Sequence, residues 1–596
     1  MAPRQPYQGN SRKLVLAFDV GTTYSGISYC ILDPGDIPVI QGVTRFPCQE
    51  NVGGDSKIPS IIYYDQEETV RAVGGEALQE STIEKAEDEG WTKLEWWKLH
   101  LRPRNMASSH VSDEDIPPLP SNKTAIQVLG DFMKYLYQCA KTYIEETHAS
   151  GSDLWRSVQN NTEFILSHPN GWEGPQQAQI RRAAILAGLV PDTTEGHGKI
   201  QLVTEGEASL HFCLGSGLAA DALKSDQGVI VVDAGGGTID LSAYYMTISP
   251  PSLEEIAPAE CYLQGSIFVS RRAREFLEAQ LNGSKFGNKE DITQMTGEFD
   301  RTAKLRFSNA QEPSYIRFGT VRDKDPAFNI RSGQLKLAGT DVATLFEPSV
   351  KAIIDAVEIQ RQTASKEIRI VFLVGGFAAS NWLFAKLQAH MQTIGVEFCR
   401  PDSHTSKAVA DGAIAFYLDH RVNARVSKFT YGTRCAIEYE EKDTQHKLRA
   451  HTIIPRPSGR RVIPNAFSSI LTKGTKISES KEFRKDFITE GAQKSTCDSI
   501  ATEIVCYRGD DTNPRWADTE PGMFSTLCTV HADTSQVSKT IGPRKGYGGV
   551  QFYRQEFSII LKFGLTELQA QISWMENGKE CRGPATVVFE QVVEPA

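Results

Sequence analysis

The sequence predicts an α/β protein in which one strand-turn-strand unit occurs twice. The first copy is an apolar strand at residues 14–18, the turn Asp19-Val20-Gly21-Thr22-Thr23 and an alternating strand near residues 27–31. The second copy has the same order, with a strand at residues 229–232 and the turn Asp233-Ala234-Gly235-Gly236-Gly237-Thr238. Segments of helical length and periodicity lie between the two copies, which completes the pattern of an α/β protein.

Further elements follow from local patterns. A third apolar strand, residues 370–374, ends at Gly375-Gly376, and Ser380 is placed to cap the helix that follows. Thr124 and Gln127 predict a capping box at the start of a long amphipathic helix. A second helix is predicted to begin at Pro175.

The organisation of the chain changes at two places. Residues 80–121 are charged and rich in tryptophan and end in a proline-bearing stretch, which is typical of a peripheral insertion or subdomain. Beyond about residue 425, strand-like runs are separated by Gly, Pro and Asp clusters. We therefore expect one domain at residues 12–425 and a separate β-rich domain at residues 426–596.

Composition and charge argue against several classes of protein. With 596 residues, the chain is long enough for two or three domains with separate cores. A net charge of −10 argues against a nucleic-acid partner. The N-terminus lacks a secretory signal and no stretch reaches the roughly 20 apolar residues of a membrane span, so we expect a cytoplasmic protein without a membrane partner. The 11 cysteines are scattered, which favours reduced thiols in the core.

The two turns carry the parts of a phosphate site. Glycine lets backbone N–H groups approach a phosphate closely, and threonine hydroxyls share its charge. Asp19 and Asp233 end their strands at equivalent places, where each could hold Mg²⁺ through its water shell. Two facing hairpins of this kind would clamp a polyphosphate and leave water as the nucleophile. A single turn of this composition is more often an ordinary polar turn, so the prediction of a phosphate site rests on the duplication.

Other nucleotide motifs do not fit. The sequence has no GxxxxGK[ST] motif, which argues against a P-loop NTPase. A GxGxxA pattern at residues 215–220 follows a helical run rather than a strand, and we interpret it as a glycine loop that ends a helix.

Three motifs resemble those of a known family. FDVGTTYSG, VVDAGGGTIDLS and IVFLVGGFAASNWL, in this order, are similar to the phosphate-one, phosphate-two and adenosine motifs of the actin-like ATPase superfamily. Over roughly residues 12–420 the chain resembles a divergent, atypical member of the seventy-kilodalton heat-shock protein (DnaK-type) family. The resemblance implies a two-lobed actin-like fold with duplicated ribonuclease-H-like subdomains, and ATP or ADP with Mg²⁺ in the central cleft.

The resemblance also implies roles for individual residues. Asp19 and Asp233 would hold the hydrated Mg²⁺, Glu205 would lie near the metal and the attacking water, and Pro169 would help to relay the nucleotide state. Lys98 is the candidate for the family's catalytic lysine, with an ordinary surface lysine beside the tryptophans as the alternative. The phosphates would be contacted by Gly21, Thr22, Thr23, Tyr24, Gly235, Gly236, Gly237 and the catalytic Thr238. The adenosine would be contacted by Gly375, Gly376, Phe377, Lys304 and Ser308, of which Lys304 and Ser308 fit a solvated helix face equally well.

Some positions depart from the family's pattern. Phe377-Ala378-Ala379 stands where the family has Ser-Thr-Arg, and Leu305 stands where a second stacking cation is expected. Adenine is then held by Phe377 or held weakly. The segment DHRVNARVSKFTYGT is basic and polar where the family has a short acidic-aliphatic linker, so coupling between the domains is not implied.

Three functions are compatible with these patterns. The first is an ATP-binding, slowly ATP-hydrolysing chaperone-like protein that couples nucleotide state to a β-rich domain, with client polypeptides and co-chaperones as partners. The second is a small-molecule kinase of the same superfamily. The third is a nucleotide-binding scaffold or sensor with little turnover, which the altered adenosine positions favour.

Overall fold

The computed structural model describes residues 4–49, 56–103, 116–172, 174–215, 227–248, 251–401, 405–419, 422–478, 481–564 and 567–587. The chain forms two compact units, one within Met1–Trp172 and Gln179–Val422 and the other within Glu173–Ala178 and Asn423–Ala596. Helices and several sheets occur together, so the predicted mixed α/β class is confirmed. The functional division of the chain at residues 425 and 426 stays a prediction.

The described strands as far as residue 399 belong to the first unit. They are β1 (Lys13–Asp19), β2 (Tyr24–Leu32), β3 (Gln41–Gly42), β4 (Lys57–Pro59), β5 (Ile62–Tyr64), β6 (Val70–Val73), β7 (Thr92–Leu94), β8 (Thr162–His168), β9 (Ile200–Thr204), β10 (Gly228–Ala234), β11 (Ile239–Ile248), β12 (Pro251–Tyr262), β13 (Ser314–Arg317), β14 (Ile330–Arg331), β15 (Gln334–Leu337), β16 (Ile368–Val374) and β17 (Glu397–Cys399).

The helices as far as residue 419 alternate with these strands. They are α1 (Glu80–Glu89), α2 (Ala125–Thr147), α3 (Gly151–Val158), α4 (Gly174–Leu186), α5 (Thr194–Gly198), α6 (Glu205–Gly215), α7 (Ser266–Gln280), α8 (Lys289–Glu298), α9 (Lys304–Arg306), α10 (Gly339–Thr363), α11 (Asn381–Thr393) and α12 (Ala408–Asp419). Helix α6 ends at Gly215, where the glycine loop was expected, and residues 216–220 of that loop lie outside the described residues.

Two sheets of the first unit share one strand order. In the first sheet the order is β3-β2-β1-β8-β9, where β1 and β2 are antiparallel and β8 and β9 follow in parallel. The second sheet contains the run β12-β11-β10-β16-β17, where β10 and β11 are antiparallel and β16 and β17 follow in parallel. Each hairpin is extended by two parallel strands on the side of its first strand, so the duplication in the sequence is a duplication of the sheet.

Burial on both faces explains the continuous apolar runs of the central strands. In β10, Ile230 and Val232 belong to the core that includes α10, whereas Val229 and Val231 belong to the core beside α6. A strand covered on both faces has no need of polar alternation. The predicted cap residues are also confirmed, since Thr124 forms a capping box at α2 and the Ser380 hydroxyl caps α11.

Part of the segment at residues 80–121 is integrated into the first unit. Strand β7 pairs with β5 in a sheet of order β6-β5-β7, and Trp97 is buried in the same core as β1 and α2. The Trp97 indole donates a hydrogen bond to the Ser60 carbonyl oxygen at 2.8 Å. Residues 104–115 lie outside the described residues, so the peripheral character of that part stays a prediction.

The remaining elements begin at the boundary of the second unit. They are β18 (Val422–Val426), β19 (Thr430–Glu438), α13 (Thr444–Leu448), β20 (Ile454–Pro455), β21 (Arg461–Leu471), β22 (Lys476–Ser478), β23 (Glu482–Gly491), β24 (Ser499–Tyr507), β25 (Phe524–Asp533), α14 (Ser535–Thr540), β26 (Arg544–Lys545), β27 (Gln551–Gly564), β28 (Glu567–Glu576), β29 (Lys579–Arg582) and β30 (Thr586–Val587).

Two antiparallel sheets of the second unit share one core. Their orders are β20-β21-β19-β24-β25 and β23-β27-β28-β29. Ile504 and Val530 of the first sheet and Ile559 and Ile572 of the second belong to one buried cluster. Across the described residues of the whole chain, no helix combines the length and apolar character needed to cross a membrane.

Candidate functional site

The turns of the two hairpins meet, and threonines of one lie against glycines of the other. A Cβ atom on Gly236 would lie 2.2 Å from Thr23 Oγ1, and one on Gly237 would lie 2.4 Å from Thr22 Oγ1. Real Cβ atoms do not approach other heavy atoms this closely, so only glycine fits at these two positions. The contact brings backbone and hydroxyl groups together where the sequence predicts phosphate binding.

The N-terminus of α7 holds the second turn. The Ser266 N–H donates to the Gly235 carbonyl oxygen at 3.1 Å, and the Ile267 N–H donates to the Gly236 carbonyl oxygen at 3.0 Å. These bonds satisfy N–H groups that the first turn of a helix leaves without intrahelical partners. They also direct the carbonyl groups of the glycine turn towards α7, which fixes the conformation of the turn.

Three carboxyl groups are buried beside the turns. Asp19 lies at the end of β1, Asp233 near the end of β10 and Glu205 at the start of α6. Burial, together with the charge of Glu205, raises the pKa of Asp233 to about 7. Burial also raises the pKa of Glu205, although the positive charge of Lys98 acts to lower it. Buried acids with raised pKa values often mark functional sites, because a cation or proton is needed to neutralise them.

Two lysines face these carboxyl groups. Lys98 Nζ donates to Glu205 Oε1 at 2.8 Å, and Lys57 Nζ donates to Asp19 Oδ2 at 2.6 Å. Lys98 is buried and lies over the Trp172 ring, so the alternative of an ordinary surface lysine does not hold. Its catalytic role stays a prediction.

Lys57 remains charged in this setting. Burial lowers the pKa of its ammonium group, but Asp19, Asp233 and Glu205 outweigh that effect, and the pKa is raised. The site therefore contains a positive charge that the sequence did not predict. Lys57 is on β4, far from either turn in sequence, and no local motif marks it.

Three further residues of the site were missed from sequence. Ser209 Oγ donates to Asp233 Oδ2 at 2.7 Å, and it follows Glu205 by four residues on α6, a spacing that places both on one helix face. Asn170, directly after Pro169, donates its backbone N–H to Asp240 Oδ1 at 2.6 Å. Asp240 follows the second turn within the motif VVDAGGGTIDLS. Its position in that motif could therefore have identified it as a residue of the site.

Gly375 lies directly against the second hairpin. Its φ is +91°, and a Cβ atom there would lie 2.3 Å from Asp233 Oδ1. Both observations require glycine, because other residues rarely adopt this backbone conformation and none has room here. The predicted third element therefore borders the same carboxyl group as the second turn, whereas Gly376 has no such close neighbour.

The other residues predicted to contact adenosine differ in how far they are buried. Lys304 is buried and bonds to Asp300 and, at 3.1 Å, to Ser270 Oγ, so it is not on a solvated helix face. Ser308 is exposed at the edge of a cavity of about 230 Å³. Phe377 is 5% exposed and belongs to the core, which leaves little of its ring for stacking on a base. Whether Lys304, Ser308 and Phe377 bind adenosine stays a prediction.

The two turns and the strand that follows the first one also contain residues of contrasting exposure. Thr238 is buried, and its carbonyl oxygen accepts the Gly235 N–H at 2.9 Å. Tyr24 is 47% exposed at the start of β2. The predicted phosphate contacts of both residues therefore remain predictions.

The donor set fits a hydrated divalent cation. Asp19, Asp233 and Glu205 supply carboxylate oxygens, which Mg²⁺ prefers, and Mg²⁺ commonly keeps several of its waters. Asp240 Oδ2 is buried and has no hydrogen-bond partner among the described residues, and burial with the charge of Glu205 raises the pKa of Asp240 to about 8. In the described part of the chain, no three His, Cys, Asp or Glu side chains form a direct metal-ligand set. Binding of Mg²⁺ to Asp19 and Asp233 through water stays a prediction.

The fold and site define a class of protein with two related α/β sheets whose hairpin turns meet at buried carboxyl groups. No family model matches the chain. Several curated proteins are similar to it. Among them, heat shock 70 kDa protein 12A of Mus musculus is 22% identical over 640 residues, which covers 94% of this chain and 89% of that protein. Heat shock 70 kDa protein 12A of Homo sapiens is 21% identical over the same span, and heat shock 70 kDa protein 12B of Homo sapiens is 22% identical over 651 residues, with 95% of this chain and 90% of that protein covered. Over nearly its whole length the chain is therefore similar to atypical proteins of the seventy-kilodalton heat-shock family.

Proposed function

We propose that the protein binds ATP and hydrolyses it slowly, as a chaperone-like protein that couples nucleotide state to a β-rich binding domain. The observation that carries the proposal is the contact of Thr22 and Thr23 with Gly236 and Gly237, beside three buried carboxyl groups. The similarity to heat shock 70 kDa proteins 12A and 12B supports it. In this proposal residues 12–425 form a two-lobed, actin-like nucleotide-binding domain, and residues 426–596 form the binding domain.

The meeting turns are the proposed phosphate site. Thr22, Thr23 and the backbone of residues 235–238 bind the phosphates, and Gly236 and Gly237 give the backbone room for a close approach. Asp19 and Asp233 hold the hydrated Mg²⁺ of the nucleotide complex, and this ion would neutralise charge on the phosphates.

Glu205 is the proposed acceptor of a proton from the attacking water. Its carboxyl group has a raised pKa because it is buried, which makes it a stronger base than an exposed glutamate. The hydrogen bond from Lys98 fixes one oxygen of the carboxylate at 2.8 Å. Lys98 therefore orients Glu205 and also adds positive charge close to the phosphates.

The experiment is to measure ATP binding by calorimetry and single-turnover hydrolysis in the full-length protein and in Asp233→Asn. The substitution keeps the side-chain size and an oxygen that can accept the Ser209 hydrogen bond, but removes one proposed metal carboxylate. We expect hydrolysis to fall by about a hundredfold or more, with a smaller loss of binding. Asp88→Asn, at an exposed position of α1, is the matched control and should behave as the wild type.

The outcomes also separate the proposed functions. Absence of ATP binding in the wild type would exclude both the chaperone-like function and the kinase. Faster hydrolysis on addition of an unfolded polypeptide would support a chaperone, with client polypeptides and co-chaperones as proposed partners in the cytoplasm. Faster turnover only with a small metabolite would instead identify a kinase.

One observation favours a second candidate function, a nucleotide-binding sensor with little turnover. Phe377 is buried in the core and Leu305 is 57% exposed, so neither offers the stacking that the family's cations give to adenine. Contacts with the phosphates would then contribute most of the free energy of nucleotide binding. Similar affinities for ATP and GTP, together with hydrolysis that does not respond to polypeptides, would support this function.

A further inference from the structure

Lys57 reaches the candidate site because β1, β2 and β4 are aligned in one sheet. Asp19 on β1 is in register with Gly26 on β2, and Gly26 is in register with Lys57 on β4. The lysine stem lies along the glycine, because a Cβ atom on Gly26 would be 3.2 Å from Lys57 Cγ and 3.4 Å from Lys57 Cε. With no side chain in the way, the ammonium group crosses β2 and ends 2.6 Å from Asp19 Oδ2.

The strand that carries Lys57 is fastened to the first turn. The Ser60 N–H donates to the Thr23 carbonyl oxygen at 2.8 Å, and the Ser60 hydroxyl donates to the Gly21 carbonyl oxygen at 2.8 Å. Lys57 also has only 15% of its side chain exposed. The ammonium group is therefore placed by the fold and is unlike a mobile surface lysine.

The position of the Lys57 ammonium matters because a divalent cation in the candidate site would bind the same carboxylates. Asp19 is the direct partner of Lys57, and Asp233 and Glu205 are close enough to act on its charge. A lysine ammonium is a compact point charge, and it repels a second cation at short range. Asp19 cannot hold this ammonium and a hydrated metal ion in the same place.

We propose that Lys57 is a tethered cation that takes the place of the metal ion on Asp19 when no nucleotide is bound, and that it moves to a phosphate when the nucleotide-metal complex enters. The ion pair of Lys57 with Asp19 is a feature of the structure, whereas the metal ion that it replaces and the movement to a phosphate rest on the proposed function. Lys57 is in this view a binding residue for phosphate and a guard against binding of metal without nucleotide. The four-carbon stem lying along Gly26 allows the ammonium to move without displacing β4.

The test uses Mn²⁺ alone as the probe, with free Mn²⁺ measured by electron paramagnetic resonance in nucleotide-free protein. We expect Lys57→Met to bind Mn²⁺ about tenfold or more tightly than the wild type, since the carboxylates lose their internal cation. Lys57→Arg keeps the charge and should resemble the wild type. Lys93→Met is the matched control, because Lys93 forms an exposed ion pair with Glu95 at 2.9 Å.

Equal Mn²⁺ affinities in the wild type and a folded Lys57→Met would overturn the proposal. If Lys57→Met does not fold, the thermal midpoint of the wild type decides: no rise with Mg²⁺ alone is expected, and a clear rise overturns the proposal. In a second arm, ATP binding in EDTA should weaken about tenfold in Lys57→Met, and unchanged binding would overturn the movement to phosphate. If the wild type binds no ATP at all, the proposed function and this movement fail, while the Mn²⁺ comparison still tests the tethered cation.

Discussion

The two hairpins place Asp19 and Asp233 at equivalent positions, but their surroundings neutralise these two acids differently. Asp19 forms an ion pair with Lys57 at 2.6 Å. Asp233 accepts a hydrogen bond from the Ser209 hydroxyl at 2.7 Å, and its pKa is raised to about 7. The repeat therefore determines where each carboxyl group lies, whereas residues outside the repeat determine how its charge is balanced.

The largest expected effect comes from neutralising each aspartate in turn. Asp19→Asn leaves the partly buried Lys57 without its direct partner, so we expect the free energy of unfolding at pH 7 to fall by about 3 kcal/mol. Asp233→Asn removes a carboxyl group that is costly to ionise where it lies, so we expect a change within about 1 kcal/mol, in either direction. Urea denaturation of the two variants measures the difference. Equal losses in both variants would contradict the contrast between the hairpins.

The glycines at equivalent places of the two turns should differ by a smaller amount. A Cβ atom on Gly21 would lie 2.2 Å from the Tyr24 carbonyl oxygen, whereas one on Gly235 would lie 3.1 Å from the Thr238 carbonyl oxygen. We expect Gly21→Ala to cost about 2 to 3 kcal/mol and Gly235→Ala about 1 kcal/mol or less, because only the first requires the backbone to shift. Thermal unfolding of the two variants, with Gly297→Ala at an uncrowded position of α8 as control, checks the order.

The raised pKa of Asp233 predicts a dependence of stability on pH. The folded protein binds this proton up to about pH 7, whereas the unfolded chain releases it near pH 4, so the folded state holds more protons between these values. The contribution of Asp233 is therefore complete below about pH 4 and is lost by about pH 7, at no more than about 1.4 kcal/mol per pH unit.

Asp233→Asn isolates this contribution from all other titrating groups. The stability difference between the variant and the wild type should shift in favour of the variant as pH rises from 5 to 7. Denaturation curves at several pH values measure that difference. A difference that stays constant with pH would show that Asp233 has an ordinary pKa.

The smallest expected effect is the difference in stability loss between removing the Ser209 hydroxyl, which faces Asp233, and removing the Ser167 hydroxyl, which faces Asp19. Ser209→Ala removes the bond to Asp233 at 2.7 Å, and we expect a loss of about 1 kcal/mol. Ser167 Oγ lies 3.4 Å from Asp19 Oδ1, at the weak end of hydrogen-bond distances, so Ser167→Ala should cost about 0.5 kcal/mol or less. Chemical denaturation at pH 8, where Asp233 is ionised, gives the clearest comparison. A larger loss in Ser167→Ala would reverse the expected order.

Much of the fold and the pairing of two similar turns in the candidate site could be predicted, because the signals are local. The apolar runs before Asp19 and Asp233 identify buried strands, and the caps at Thr124 and Ser380 are short-range hydrogen bonds. The burial of Phe377 could not be predicted. A phenylalanine beside a glycine turn is compatible with a binding site or a core, and only packing distinguishes them.

The repeated hairpin is encoded locally, since the alternation of strand residues and the glycine-rich turns lie within about a dozen neighbouring positions. The charges that meet at the two turns, in contrast, depend on how distant parts of the chain pack together. Lys57 reaches Asp19 across Gly26 because three strands are aligned in one sheet, and Ser209 reaches Asp233 because α6 packs against β10. Side chains this far apart in sequence are joined by strand register and helix packing, which no local pattern specifies.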